Sequence, residues 1–450
     1  MLSRYLYLPV EIYKREFMAK LFLGMRAASK GMVVVIGSHS SHCFKNVSSG
    51  FLLHKDHAPW SYEKILNLKR SGVCVGVLDE EGLIYRSEEI YKTTRVSEKV
   101  FQEVDVVYLW GSEQKRLVEE YVDKGKIKIV GNPRFDLLKY IKNQKQAQPN
   151  EPYNILINTR FPSCNNIRGS GELDNLIKIG VISSEEQKQT YLNYVEKDEI
   201  IFKEFLRLIK LFGDEKKFFV TIRPHPAESI EIYKKIAEGY SNVIVDNETE
   251  LVKQLILNNC VIHDGCTTAI EAYAAGKPVI GLRPQNLSFE YGDFCNRFSN
   301  NFSNADDVLS YLKSSDFKSF ALMPKQEVKK YIKNWLSERD CVDKIVSSIQ
   351  EMNINEEYYD IKKFKQEAGF KSKLISYVVS GKINHYLMSF FFNKKLKKIM
   401  AKHAVANSKF PIISKQLVSD NIEFLKNLTD IEEAYQIDMI DDKSFVLRIK

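Results

Sequence analysis

The sequence predicts an α/β protein made of two Rossmann-type domains facing a cleft. Short apolar runs alternate with amphipathic stretches, and several of those runs end directly in polar turns rich in Gly, Pro and charged residues. A polar, proline-containing segment, Lys142 to Pro152, then separates two such series. At 450 residues the chain exceeds one ordinary core and suits two domains and an appendage.

The first domain is expected over residues 1–145. Tyr5 to Pro9 reads as a strand, Glu16 to Ser29 as an amphipathic helix and Val33 to Gly37 as the next strand. Further strands are expected at Val73 to Leu78, Val106 to Trp110 and Lys126 to Val130. The second domain is expected over residues 152–343. It opens with a strand from Tyr153 to Asn158 and a long helix around Glu199 to Phe212, and has strands starting at Phe218, Asn242, Cys260 and Pro278. Residues 344–450 read as a lysine-rich helical extension. Within it Phe390 to Met400 joins an aromatic to a basic cluster, which suits either the surface of the inner membrane or a packed helix with a solvated lysine face.

Hydrophobic residues make up 44% of the chain, enough for globular cores. The net charge of +8 is spread among 66 basic and 58 acidic residues, so attraction to anionic ligands or lipid head groups is expected, and nucleic-acid binding is not implied. The seven cysteines are widely spaced and form no Cys-x-x-Cys pair, which points to a reducing compartment and away from zinc. With no charged head, apolar core and cleavage site at the N-terminus, a cytoplasmic protein is expected. The longest apolar candidate, Leu374 to Phe392, is interrupted by Lys382, Asn384 and His385 and does not read as a membrane span.

Three polar turns carry the chemistry. In the stretch Val261 to Ile280 a strand runs into His263-Asp264-Gly265-Cys266, Thr267 and Thr268 open a helix, Gly276 stops it and Pro278 prevents its continuation. Free backbone N–H groups, the helix dipole and two hydroxyls suit a phosphate or carboxylate. The competing reading is a capping box from Thr268 to Glu271. Upstream, a strand starting at Phe218 runs into Arg223, Pro224, His225 and Pro226, a rigid turn suited to clamping a phosphate. The third turn is Asp79-Glu80-Glu81-Gly82, again after an apolar strand. A carboxylate there can act as general base or nucleophile; the alternatives are a solvated turn or metal ligation, which would need oxygen ligands not found nearby.

With these residues in view, the His-Pro, Thr-Thr and Glu-Glu-Gly motifs resemble those of bacterial sialyltransferases, polysialyltransferases and Kdo transferases. Over roughly residues 5–285 the chain more particularly resembles the surface carbohydrate biosynthesis proteins, through Leu8 to Glu16, Leu78 to Gly82, Gly131 to Asp136, Ile157 to Phe161, Arg223 to Pro226 and the block from His263 to Pro278. The resemblance implies a GT-B glycosyltransferase. It would take a nonulosonic acid or a Kdo-type sugar from a CMP donor, without a required metal or other cofactor, to a glycan or lipid-linked glycan acceptor. Residue by residue, Glu80 would take the catalytic acid position, with Asp79 and Glu81 able to exchange roles with it. His225 would contact the CMP phosphate or assist its departure. Thr267 and Thr268 would bind phosphate or the donor carboxylate, and Glu271 the ribose. Arg223, Pro226, His263, Gly265, Asn158, Thr159 and Arg160 would also lie at the donor, with Arg160 standing where the family pattern leads one to expect a second Asn.

A transfer of this kind holds two anions, the phosphate and the sugar carboxylate, and stabilises charge growing on the leaving CMP. Arg223, His225 and the Thr267 helix start supply that holding. Acceptor residues are expected in the first domain, where Lys14, Arg15, His39, His42, His54 and Lys55 give a basic character. The competing functions are a CDP-polyol phosphotransferase, a UDP-sugar transferase or epimerase-like protein of the same fold, and a noncatalytic subunit of a polysaccharide-assembly complex.

Overall fold

The computed structural model describes residues 2–143, 152–284, 293–314, 325–365 and 409–450, apart from residues 46, 86, 168, 170, 171, 179–181 and 338. The chain is α/β and forms two compact units, each with a Rossmann-like parallel sheet. The first unit comprises Met1–Gly82, Tyr91–Asp136 and Tyr331–Lys450; the second comprises Leu83–Ile90 and Leu137–Lys330.

In the first unit the chain lays down β1 (Leu2–Ser3), β2 (Tyr5–Val10), β3 (Val33–Ser38), β4 (Phe51–His54), β5 (Cys74–Leu78), β6 (Val106–Leu109) and β7 (Ile127–Ile129). Strands β2 to β7 pair in parallel, in the order β3-β2-β4-β5-β6-β7. Every residue of β2 and β3 is buried, as expected for a parallel sheet covered on both faces, and this is why these strands read as continuous apolar runs. Pairing of β2 with β4 ends at Tyr7, so Pro9, which has no N–H to offer a ladder, sits beyond it. Its carbonyl accepts from Lys20 Nζ at 2.7 Å. The order places the topological switch point at the carboxyl ends of β2 and β4.

The second unit contributes β8 (Tyr153–Asn158), β9 (Phe218–Arg223), β10 (Val243–Val245), β11 (Cys260–His263), β12 (Val279–Leu282) and β13 (Asn300–Phe302). They form one parallel sheet in the order β10-β9-β8-β11-β12-β13, with its switch point between β8 and β11. Helix Glu185–Gly213 starts at Ser184, whose side chain accepts from Gln187 N. It lays Ile201, Phe205, Leu208, Ile209 and Phe212 in the core with Ile155, Ile157, Val220 and Ile222 of the sheet. Each such side chain, fully buried, contributes about 1.5–3 kcal/mol.

The chain then returns to the first unit, with β14 (Glu357–Tyr358), β15 (Tyr435–Asp441) and β16 (Ser444–Ile449). This corrects the expectation of a helical extension over 344–450. Helices Cys341–Gln350 and Lys415–Leu428 are present, but β15 and β16 form an antiparallel hairpin, and β16 pairs antiparallel with β3, widening the sheet to eight strands. The physical reason is local: β15 alternates apolar and polar residues from Tyr435 to Met439, Phe445, Val446 and Leu447 of β16 form a buried apolar run, and Asp442-Lys443 makes the turn. The expected linker lies almost wholly outside the described residues, as do Leu374 to Phe392 and Phe390 to Met400. Among the described residues no helix is long and apolar enough to cross a membrane.

Candidate active site

The second unit gathers most of the expected donor residues at its switch point. Asn158 ends β8 and bridges both sides, accepting from Arg223 Nη1 at 3.1 Å through Oδ1 and donating to Cys266 Sγ at 3.2 Å. Arg223 ends β9. Its Nε is buried with no hydrogen-bond partner. Burial lowers the guanidinium from its ordinary value, opposed by the Glu271 carboxylate, Cys266 and Asp246. A half-buried cation with a buried, orphaned donor is costly unless an anion completes it.

Beside it, helix Thr267–Ala274 begins at Cys266, which makes no side-chain cap, so the capping-box reading of Thr268 and Glu271 is not realised. Gly265 has φ 56°, a left-handed conformation that favours glycine and turns the chain sharply from β11 into the helix. Thr267 is half-buried, Thr268 and Glu271 are buried. The first helical amides lie at a sheet switch point next to Arg223, an arrangement suited to a phosphate.

His225 is exposed. Its Nδ1 accepts from Ala227 N at 3.2 Å, which leaves the proton of the neutral ring on Nε2. The loop is fixed from below by Glu228, a residue the sequence did not single out. Its Oε1 accepts from His225 N at 3.0 Å and from Thr159 Oγ1 at 2.9 Å. Pro226, next to His225, is exposed.

Three expected donor residues are placed elsewhere. His263 is fully buried with Nε2 against Ser299 Oγ at 2.6 Å. Burial, followed by the charges of Arg283 and Arg160, pushes its imidazole down to about 3, so it is a neutral core residue. Thr159 is buried on Glu228 and supports the His225 loop from inside. Arg160 donates to Asp264 O at 3.2 Å, Asp264 Oδ2 at 3.2 Å and Tyr194 OH at 2.9 Å, so its charge is engaged within the loop after β11.

The acidic turn belongs to the first unit and separates its three acids. Asp79 is 0% exposed; it pairs with Arg95, accepts from Tyr91 OH at 3.0 Å and takes Trp110 Nε1 on its carbonyl at 2.7 Å. It is a structural anchor and does not exchange roles with Glu80. Glu81 has a side chain 51% exposed and pairs with Arg95 at 3.0 Å and Arg15 at 3.6 Å. Glu80, 8% exposed, sets its carboxylate 3.3 Å from Lys20 Nζ, which also lies 3.8 Å from the buried Glu16. Its backbone is held at both ends, N to Lys55 O at 3.0 Å and O from Arg134 Nη2 at 3.2 Å. The turn also needs a residue without a side chain at Gly82, because a Cβ there would lie 2.2 Å from Gln114 Nε2. Gln114 is itself committed to Trp110 N and Tyr91 OH. Gly82→Ala is therefore expected to cost about 1–2 kcal/mol and lower the thermal midpoint, read by calorimetry.

Sequence reasoning missed Lys20, Arg95, Trp110 and Gln114. They come from other helices and strands, and no local pattern marks them.

No family model matches the chain, and no curated protein matches it. Among solved structures it is similar to a UDP-N-acetylglucosamine 2-epimerase, with 11% identity, 80% of this chain and 99% of the other covered, and a TM-score of 0.47. It is also similar to S. aureus MnaA in a co-structure with UDP, with 13% identity, coverage of 78% and 96%, and a TM-score of 0.45. A third is the wall teichoic acid polymerase TagF, with 12% identity, coverage of 78% and 89%, and a TM-score of 0.43.

Proposed function

We propose that the protein is a GT-B glycosyltransferase of surface carbohydrate biosynthesis, transferring a nonulosonic acid or Kdo-type sugar from its CMP donor to a glycan acceptor. The observation that carries the reading is the half-buried Arg223, its buried Nε orphaned beside the start of helix Thr267–Ala274 at the β8/β11 switch point. That constellation asks for an oxyanion. Arg223, the helix amides and His225 would hold the phosphate and take up charge as CMP leaves. Thr267, half-buried at the helix start, would meet phosphate or sugar carboxylate. Glu80 of the first unit is the base for the acceptor hydroxyl, and the choice of CMP rests on the motif resemblance.

The test is a metal-free thermal-shift titration with CMP, CDP, UMP, UDP and GDP on wild type, Arg223→Met and His225→Ala. CMP is expected to stabilise most, by about 2.7 kcal/mol at a hundredfold excess over its Kd, and both variants to lose most of that gain. Selective response to CDP or UDP would move the donor to a polyol phosphate or UDP-sugar. A flat response to all five removes the nucleotide.

A further inference from the structure

The first unit carries a cationic cluster that the donor site does not use. It lies at the carboxyl ends of β2, β3 and β4, around that sheet's own switch point. Lys64 stands in the first turn of helix Tyr62–Arg70, where the helix dipole disfavours a cation. It is half-buried, and among the described residues it has no hydrogen-bond or ion-pair partner. Burial lowers its ammonium from the ordinary value, Lys55, Lys45 and Lys20 act in the same direction, and Asp56 alone opposes them.

The neighbouring carboxylates are already engaged. Asp56 accepts from Ser61 Oγ and from Ala58 N at 3.3 Å, and pairs with Lys55 at 3.3 Å. Glu11 is shared between Lys55 and Lys409, the latter at 2.7 Å. His39, directly after β3, has a buried Nδ1 with no partner, and Lys64 and Lys55 are among the charges acting on it. His54, the last residue of β4, is pushed down to about 4 by burial and is neutral. A half-buried ammonium set at the positive end of a helix dipole, among other cations, opposes stability on every count. A bound anion reverses each of them.

We propose that Lys64, with His39 and Lys55, forms an anion subsite of the first unit that receives a phosphate or carboxylate group carried by the acceptor. The assignment of that anion to an acceptor rests on the glycosyl-transfer reading; the subsite itself does not.

The test titrates inorganic phosphate and, separately, glucuronate into full-length wild type, Lys64→Met, Lys64→Arg and Arg223→Met by calorimetry. At least one anion is expected to bind wild type, about tenfold more weakly in Lys64→Met and within about threefold of wild type in Lys64→Arg. In Arg223→Met, whose donor site is weakened, the binding that depends on Lys64 should persist. Response to phosphate alone or to glucuronate alone identifies the group. No binding to wild type, equal binding to Lys64→Met, or a loss confined to Arg223→Met overturns the proposal. A retained CMP response in Lys64→Met shows that the variant is folded. If the CMP response is absent from wild type while the Lys64 effect persists, the donor reading fails and the anion subsite stands.

Discussion

Glu80→Gln is expected to lower sugar transfer by about a thousandfold while leaving nucleotide-induced stabilisation intact, since general-base catalysis contributes about 10²–10⁴. The amide preserves the side-chain volume and an acceptor for Lys20 Nζ, 3.3 Å away. The backbone clamp from Lys55 and Arg134 does not involve the carboxyl at all. On the proposed role, what is lost is the ability to take a proton. The neighbouring acids provide the controls. Glu81→Gln, on a half-exposed side chain tied only to Arg95 and Arg15, should cost less than about tenfold. Asp79→Asn should unfold at lower temperature, because it weakens the buried pair with Arg95. Single-turnover transfer, read beside the thermal midpoint, separates the three. A large transfer defect in Glu81→Gln with an active Glu80→Gln would reassign the base, full transfer by both would place the base outside this turn, and no transfer by wild type would favour a noncatalytic subunit.

That assignment illustrates what the sequence could and could not tell. The strand-turn-helix blocks were legible because parallel, doubly covered strands are unbroken apolar runs, and their polar turns fall at strand ends, where α/β sheets bind ligands. Arg223, Thr267 and Thr268 stand out in this way and Asn158 through the motif resemblance, and all four lie at one switch point. His263 was misplaced because closeness to the turn says nothing about which way a strand's last side chain points. Its partner, Ser299, lies in a later segment. The three consecutive acids could not be told apart for a similar reason: Tyr91 and Arg95, which fix Asp79, come from a helix that the motif does not contain. Lysine content over the tail masks the two-residue alternation of β15 and the short apolar run of β16, so a hairpin reads as helix. The motif from Gly131 to Asp136 was visible as a pattern, but its work is done on residues two hundred positions away, as Asp136 shows most directly.

Asp136→Ala is expected to destabilise the first unit by about 3 kcal/mol, because it strips three buried donors of their acceptor. Asp136 Oδ1 accepts from Asn334 Nδ2 at 2.7 Å and Cys341 N at 2.9 Å, and Oδ2 accepts from Val342 N at 2.9 Å. The last two are opening amides of helix Cys341–Gln350, so the carboxylate both caps that helix and meets its positive end. Asn334 continues the clasp by donating to Asn132 O and accepting from Asn132 N. From the same motif Arg134 reaches the Glu80 carbonyl and lies over the Trp110 ring, 5.1 Å from its centroid. The clasp therefore joins the chain's return segment to the acidic turn, and its loss should lower activity through the position of Glu80 as well as through stability. Burial, with the charge of Asp340 adding to it, pushes the Asp136 carboxyl up to about 7 against the pull of its three donors. The unfolded value is about 4, so the group's contribution is fully present below pH 4 and diminishes as pH rises through 7. Urea unfolding at pH 5 and pH 8 should show that slope in wild type and not in Asp136→Ala. Equal stability of the two proteins at both values would mean that the three donors find other acceptors and that the motif does not hold the two segments together.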